Sequence, residues 1–376
     1  MDRRNFLTWA GVGCVASSLF KTSTALSLEP IEAQELIEKA IKKVIKGVIS
    51  NNRKATFYTQ GRYLYDKLGN KVILRGVNKM SVWDEKDPIG DISFPEIRKT
   101  GANSVRLPWV IRKDLKPGIS DSDPKILDAL ITNAKNNHLI PIVDLHDSTG
   151  IWNRLQDVVD YWVQPTIVSI IQKHQEYLLV NIANETGDEH VKEEQFIAGY
   201  TNAIQTMRSA GIRTPLVIDA SDWGKNLDIL DATASTLLNA DPDNNLLFSV
   251  HLYWPISYGA DANFIRSKLQ NSVNLGYPLI VGEFSEFGAW AGKNVSICSP
   301  GGKIDYQTIL EECHKHEIGW YAWEWGPGND FKDPLCSVMD MTPDRLFDNL
   351  KPGWATEVAI DSPYSIKNTS VIPPTL

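Results

Sequence analysis

The chain is short of positive charge. Its 38 lysines and arginines are outnumbered by 46 aspartates and glutamates, a formal net charge of −8, whereas a nucleic-acid-binding protein normally presents a basic face. It also lacks an uninterrupted apolar run of the roughly 20 residues that a membrane-spanning helix needs. Nucleic acid and stable membrane insertion are therefore not expected. Glycines are missing after the first strand-like run, where Val77 leads into Asn78-Lys79-Met80-Ser81. An open doubly wound sheet would normally carry a glycine-rich turn there for a cofactor phosphate, so no cofactor is expected. No His-x-His pair stands on that first run either, which counts against a metal-dependent barrel hydrolase using His146, Asp147 and His251. Cysteine is scarce, at four residues.

What is present begins with a targeting pattern. Arg3-Arg4 precede Asn5-Phe6-Leu7, a short apolar stretch follows, and Ser23-Thr24-Ala25 supplies a small-residue cleavage site. Residues 1–25 read as a twin-arginine-type export signal and imply a secreted or periplasmic protein. Over residues 26–56 an amphipathic pattern runs from Ile31 to Ile49, with Lys39, Lys42, Lys43 and Lys46 between apolar positions. A helix packed on the main domain, or a spacer, accounts for it; a membrane-surface helix is the alternative.

Residues 57–376 read as one further domain. Phe57–Tyr65, a turn over Asp66–Asn70 and the run that follows suggest a small opening hairpin. Apolar runs then alternate with helical stretches: Val72–Val77, Ser104–Leu107, Ile140–Leu145, Leu178–Ile182, Leu216–Ile218, Leu246–Leu252, Leu279–Val281 and Gly319–Trp323. Strands buried on both faces look like this, and eight of them separated by helices indicate a closed (β/α)8 barrel of the α/β class. Helix signals agree. Asp123-Pro124 opens a helix with an Ile126, Leu127, Leu130, Ile131, Ala134 stripe, Ser93 and Glu96 have capping-box spacing, and Gly211 closes a helix begun near Val191.

In such a barrel the residues at the strand ends line the active site. Here they are Arg106, His146 with Asp147, Asn184 with Glu185, Asp219, His251 with Tyr253, Glu283, and Trp323. Nearly all are polar or ionisable, which points to an enzyme. Glycoside cleavage requires two carboxyl groups, one to protonate the leaving oxygen and one to attack or to activate water. Glu185 and Glu283 fit that need. Glu286, three residues further on, competes for the second place, but Val281-Gly282-Glu283 ends its run directly.

This ordered set resembles glycoside hydrolase family 5, retaining (β/α)8 enzymes acting on β-linked glycans, over about Phe57–Leu350. The resemblance implies roles. Glu283 would be the nucleophile, held by Arg106 and Tyr253 through charge and hydrogen bonding, and Glu185 the general acid and then base. Asn184 would bond the sugar 2-hydroxyl, Trp323 would face a pyranose ring, and His146 and His251 would donate hydrogen bonds around the site. A glycan-binding relative without activity would be expected to lack one of the two carboxylates, and both are present. His146–Gly150, Asn181–Glu185 and Asp219–Gly224 resemble the bacterial β-mannanase branch, implying a β-mannan or glucomannan partner. Trp323-Glu324-Trp325-Gly326-Pro327-Gly328-Asn329-Asp330 departs from that branch's shorter W-x-W-x-G-N pattern and leaves a glucan substrate open. Trp83, Trp109, Trp152, Trp223 and Trp254 are further candidate sugar platforms or packing residues. Three cysteines lie beyond the signal. Cys298 and Cys336 fall in loops after the seventh and eighth strands and are expected to pair in an oxidising compartment, with Cys313 buried in the helix Tyr306–His316.

Overall fold

A computed structural model describes residues 55–111, 123–288, 302–328 and 339–376. The export signal, the 31–49 pattern, Cys298, Cys336, Asn329 and Asp330 lie outside the described residues.

The opening segment is a three-stranded antiparallel sheet of β1 (Tyr58–Gln60), β2 (Tyr63–Tyr65) and β3 (Lys71–Val72). Asp66 shapes the second turn: its Oδ1 accepts the backbone N–H groups of Leu68 at 2.9 Å and Asn70 at 2.8 Å, the local bonding that makes aspartate a turn residue. The first apolar run is not one strand, as expected, but two elements. β3 stops at Val72 and the barrel begins with β4 (Arg75–Asn78). Asn103 holds the break, taking the N–H of Arg75 on its Oδ1 (2.8 Å) and donating its amide to the carbonyl of Ile73 (2.9 Å).

The barrel continues through β5 (Ser104–Trp109), β6 (Ile140–Leu145), β7 (Leu179–Asn181), β8 (Leu216–Asp219), β9 (Leu246–His251), β10 (Leu279–Phe284) and β11 (Gly319–Ala322). Each strand pairs in parallel with the next, and β11 pairs with β4 to close the ring. Every residue of these eight strands is buried, which is why their sequences run apolar instead of alternating. Ile140, Ile142, Leu179, Val217, Leu247, Ile280 and Tyr321 form one inner cluster, joined by Phe57, Leu64 and Val72 of the opening segment.

The larger cluster lies between the strands and the surrounding helices: α1 (Ser93–Lys99), α2 (Pro124–Asn136), α3 (Leu155–Trp162), α4 (Pro165–His174), α5 (Glu193–Ser209), α6 (Leu227–Ala240), α7 (Ala262–Leu275) and α8 (Tyr306–Lys315). Asp123 caps α2 by accepting the N–H of Lys125 at 2.8 Å, and α2 buries Leu127, Leu130, Ile131 and Ala134. Burial of such side chains stabilises by about 1.5–3 kcal/mol for each large one. The Ser93–Glu96 capping box does not form. Asp87 takes its place, its carboxylate accepting the N–H groups of Ile92 and Ser93, both at 2.9 Å. Glu96 is drawn instead to Lys99 and to the N–H of Phe347. Gly211, at φ +92°, follows α5 as expected. Cys313 is buried in α8. Among the described residues no helix is long and apolar enough to cross a membrane.

Candidate active site

The parallel barrel brings the expected residues together at one end. Arg106 is the central cation. It lies inside β5 and not at its end, because the strand runs on through Leu107-Pro108-Trp109. Its Nη1 donates to Glu283 Oε1 at 2.6 Å and to Asn78 Oδ1 at 3.0 Å, and its Nη2 donates to Asn184 Oδ1 at 2.6 Å. Asp144 and Asp219 each place Oδ2 3.3 Å from the same nitrogen. Burial disfavours the charge, yet Asp144, Glu283 and Asp219 reverse this and raise the guanidinium's affinity for its proton. The guanidinium fork suits such multiple acceptors.

Glu283 is also within its strand, β10, one residue before Phe284. Both carboxylate oxygens are engaged, Oε1 by Arg106 and Oε2 by the hydroxyl of Tyr253 at 2.8 Å. Glu185 follows β7 in a left-handed conformation, φ +47°, the kind of local strain that surrounding contacts must hold. Its N–H donates to Asp219 Oδ2 at 3.2 Å, and its carbonyl accepts from Gly150 at 2.8 Å. The carboxyl receives a bond from His251 Nδ1 at 2.6 Å. An oxygen of Glu185, an oxygen of Glu283 and a ring nitrogen of His251 all lie within 4.8 Å of one another.

The electrostatics separate these groups. Burial, followed by the charge of Glu283, raises the pKa of Glu185, against the opposing bond and charge of His251. Burial would lower His251, but Glu283, Asp219 and the bond to Glu185 push it up to about 10. Asp219, disfavoured as an anion by burial, is nevertheless held down to about 2 by His251 and Arg106. The donor atoms of these three residues are close enough to hold a cation, while the raised pKa of His251, pressed by Glu283 and Asp219, favours a ring that donates to Glu185. The arrangement is suited to proton transfer and nucleophilic attack.

His146 completes one wall. Its Nδ1 is bonded to Asp144, whose charge raises the ring's pKa against the effect of burial. The ring lies between two indoles, Trp323 stacked at 6.0 Å and Trp83 edge-on at 5.6 Å. Asn184 is fixed between Arg106 and Thr149, to whose Oγ1 it donates at 2.9 Å. Glu286 stands outside this constellation, in the loop after β10, where Lys303 and Glu357 act on its carboxyl. Of the other tryptophans, Trp109 is fully buried and bonds Tyr161, Trp152 packs on Phe196 and Tyr200, and Trp254 donates to the carbonyl of Lys225. Trp223 is exposed.

Sequence reasoning missed the site roles of Asn78, Asp144 and Asn181, and it gave Asp219 a place but no role. For Asp144 and Asn181 the signal was a polar residue inside an otherwise apolar run: a charge such as Asp144, one residue before the end of Ile140–Leu145, needs a partner, because an unpaired buried carboxylate is costly.

The Cellulase (glycosyl hydrolase family 5) family model matches residues 65–329. A mannan endo-1,4-beta-mannosidase of Salipaludibacillus agaradhaerens is 30% identical over 297 residues, covering 78% of this chain and 89% of the relative. Among solved structures, the catalytic domain of a mannanase from Streptomyces sp. SirexAA-E superposes with a TM-score of 0.72 at 26% identity, covering 86% of this chain and 95% of its own. The β-mannanase of Streptomyces thermolilacinus with mannohexaose gives 0.71 at 28% identity, with 85% and 97% covered. The chain is a glycoside hydrolase and belongs to glycosyl hydrolase family 5.

Proposed function

We propose that this glycoside hydrolase is a retaining endo-β-1,4-mannanase in which Glu283 is the nucleophile and Glu185 the acid/base. The spacing of the two carboxylates carries this reading. One oxygen of each lies within 4.8 Å of the other, which favours the closely set carboxyls of a retaining pair, roughly 5–5.5 Å apart, over the wider spacing of about 6.5–9.5 Å in an inverting pair.

In the first half-reaction a Glu283 oxygen bonds the anomeric carbon while the glycosidic bond breaks and Glu185 gives its proton to the leaving oxygen. Arg106 and Tyr253 aim the attacking carboxylate. In the second, Glu185 takes a proton from water, which displaces the ester and restores Glu283. One amide hydrogen of Asn184 is committed to Thr149; the other is available to the sugar 2-hydroxyl. Trp323, beside His146 and Trp83, supplies an apolar face for the ring. Substrate choice is supported by relatives and neighbours described as mannanases, one of them holding mannohexaose. The export reading rests on the Arg3-Arg4 signal alone, and it implies action outside the cytoplasm.

Reducing-sugar release from mannan, glucomannan, cellulose, xylan and mixed-linkage glucan tests the assignment. Mannan and glucomannan should be cleaved fastest. Activity on carboxymethylcellulose with none on mannan would move the protein to the endoglucanases of the same family.

A further inference from the structure

Next to Trp323 stands a carboxyl that the proposed mechanism does not use. Glu324 is fully buried, and Trp323 and Glu324 are joined by a cis peptide bond. The Oε2 of Glu324 accepts the N–H of Met80 at 3.0 Å, and its backbone pairs with Met339 and Met341. Among the described residues its Oε1 has no hydrogen-bond partner. Gly328 closes over that oxygen so tightly that an added Cβ would come within 2.2 Å of both Oε1 and the Met80 methyl.

Around it lies a chain of buried charges. From the loop after β4, Lys79 donates to Asp84 at 2.8 Å and to the carbonyl of Gly326 at 3.2 Å. From the last described segment, Arg345 grips Asp84 with two bonds and Asp340 accepts the N–H of Gly328. These contacts join the loop carrying Trp83 to the loop carrying Trp323, the two indoles that flank His146.

We propose that Glu324 is a positioning residue for this pair of rings, its buried carboxyl fastening the Trp323 loop to the Trp83 loop so that both indoles face the sugar. The inference rests on the reading of Trp323 as a sugar face. Among the described groups whose charge acts on this carboxyl, the single cation Lys79 is already outnumbered by Asp340 and Asp84. Ionisation would add an uncompensated buried charge with one oxygen lacking a donor, and such groups are relieved by opening to water. Burial, reinforced by Asp340 and Asp84 against Lys79, pushes the carboxyl up to about 8. The loop would therefore hold at neutral pH and loosen in mild alkali. If the loosened form does not bind, KM scales with the inverse of the competent fraction, so it should rise about tenfold one pH unit above the midpoint.

The test is kcat and KM on mannohexaose from pH 6 to pH 9.5 for wild type, Glu324→Gln, Gly328→Ala and Trp323→Ala. Wild-type KM should climb on the alkaline side, while Glu324→Gln, which keeps the Met80 bond and cannot ionise, should show no such climb. Gly328→Ala, which crowds the same carboxyl, should raise KM throughout with a smaller effect on kcat. An equal alkaline rise in wild type and Glu324→Gln overturns the inference, as does an unchanged KM in Gly328→Ala. An unchanged KM in Trp323→Ala would instead contradict the sugar-face reading on which it rests. Thermal unfolding gives an independent check. The folded-state pKa lies above the ordinary value, so the contribution of Glu324 to stability should fall as pH rises from about 4.5 to about 8. At pH 7 Glu324→Gln should therefore melt higher than wild type, and a lower melting temperature would contradict the buried, protonated carboxyl.

Discussion

Glu283→Ala should reduce kcat on mannan by ~10⁴-fold or more, because it removes the group that forms the covalent intermediate. The loss should not come from unfolding. Arg106 would keep Asp144 and Asp219 as partners, so the melting temperature should move little. Glu185→Ala should be nearly as damaging on mannan, where general acid and base assistance typically contributes about 10²–10⁴-fold in each step. The two variants should differ on an aryl mannoside with a good leaving group. That substrate needs no proton to depart, so Glu185→Ala should still form the glycosyl-enzyme and stall at hydrolysis, releasing a burst of phenol. Glu283→Ala should give no burst. Near-normal steady-state activity in either variant would remove the assignment.

Arg106→Met should combine the largest loss of stability with loss of activity. The side chain is fully buried among Glu283, Asp144 and Asp219 and also holds Asn78 and Asn184. Removing one partner from a buried ionic network leaves uncompensated charge and typically costs about 3–5 kcal/mol. Glu283 would keep Tyr253 but lose its aim, and Asn184 would lose the bond that orients its amide. Urea unfolding together with kcat on mannan measures both effects. A variant within about 1 kcal/mol of wild type would show that Arg106 is not the centre of the network.

The positions that could be read from the sequence are those where a physical rule acts locally. Leu178–Ile182 followed by Asn184-Glu185 shows a buried strand handing a carboxyl to the barrel's open end, and the fold places Glu185 there. Arg106 was recognisable as a site residue but misplaced as a strand end, since nothing in Leu107-Pro108-Trp109 marks continuation; proline in a central strand argues against one. Asp144, Asn181 and Asn78 were hidden for the opposite reason. Asp144 and Asn181 each interrupt an apolar run by a single residue and Asn78 ends one, and only the arrival of Arg106 from another strand explains why these polar groups are tolerated. The Val72–Val77 run concealed a bend because its cause, Asn103, lies about a helix and a loop away in the chain. The bond between Glu324 and Met80 spans 244 residues, a separation over which local pattern carries no signal.

A retaining mechanism requires Glu185 and Glu283 to be electrostatic neighbours with separate tasks. Carbon-13 NMR titration of the Glu185 carboxyl, in wild type and in Glu283→Gln, measures this directly. In wild type the group should titrate above the ordinary glutamate range, because burial and the Glu283 charge outweigh the bond and charge of His251. It should then remain protonated as the acid at the lower edge of the working range and set the alkaline limb of a bell-shaped rate profile. Glu283→Gln removes the neighbouring charge and keeps the side chain's shape, so the Glu185 pKa should fall. The same fall, once the nucleophile is esterified, is what lets Glu185 serve as a base toward water. A pKa that stays the same or rises in Glu283→Gln would mean that the two carboxyls do not share a site, and the proposed mechanism would be wrong.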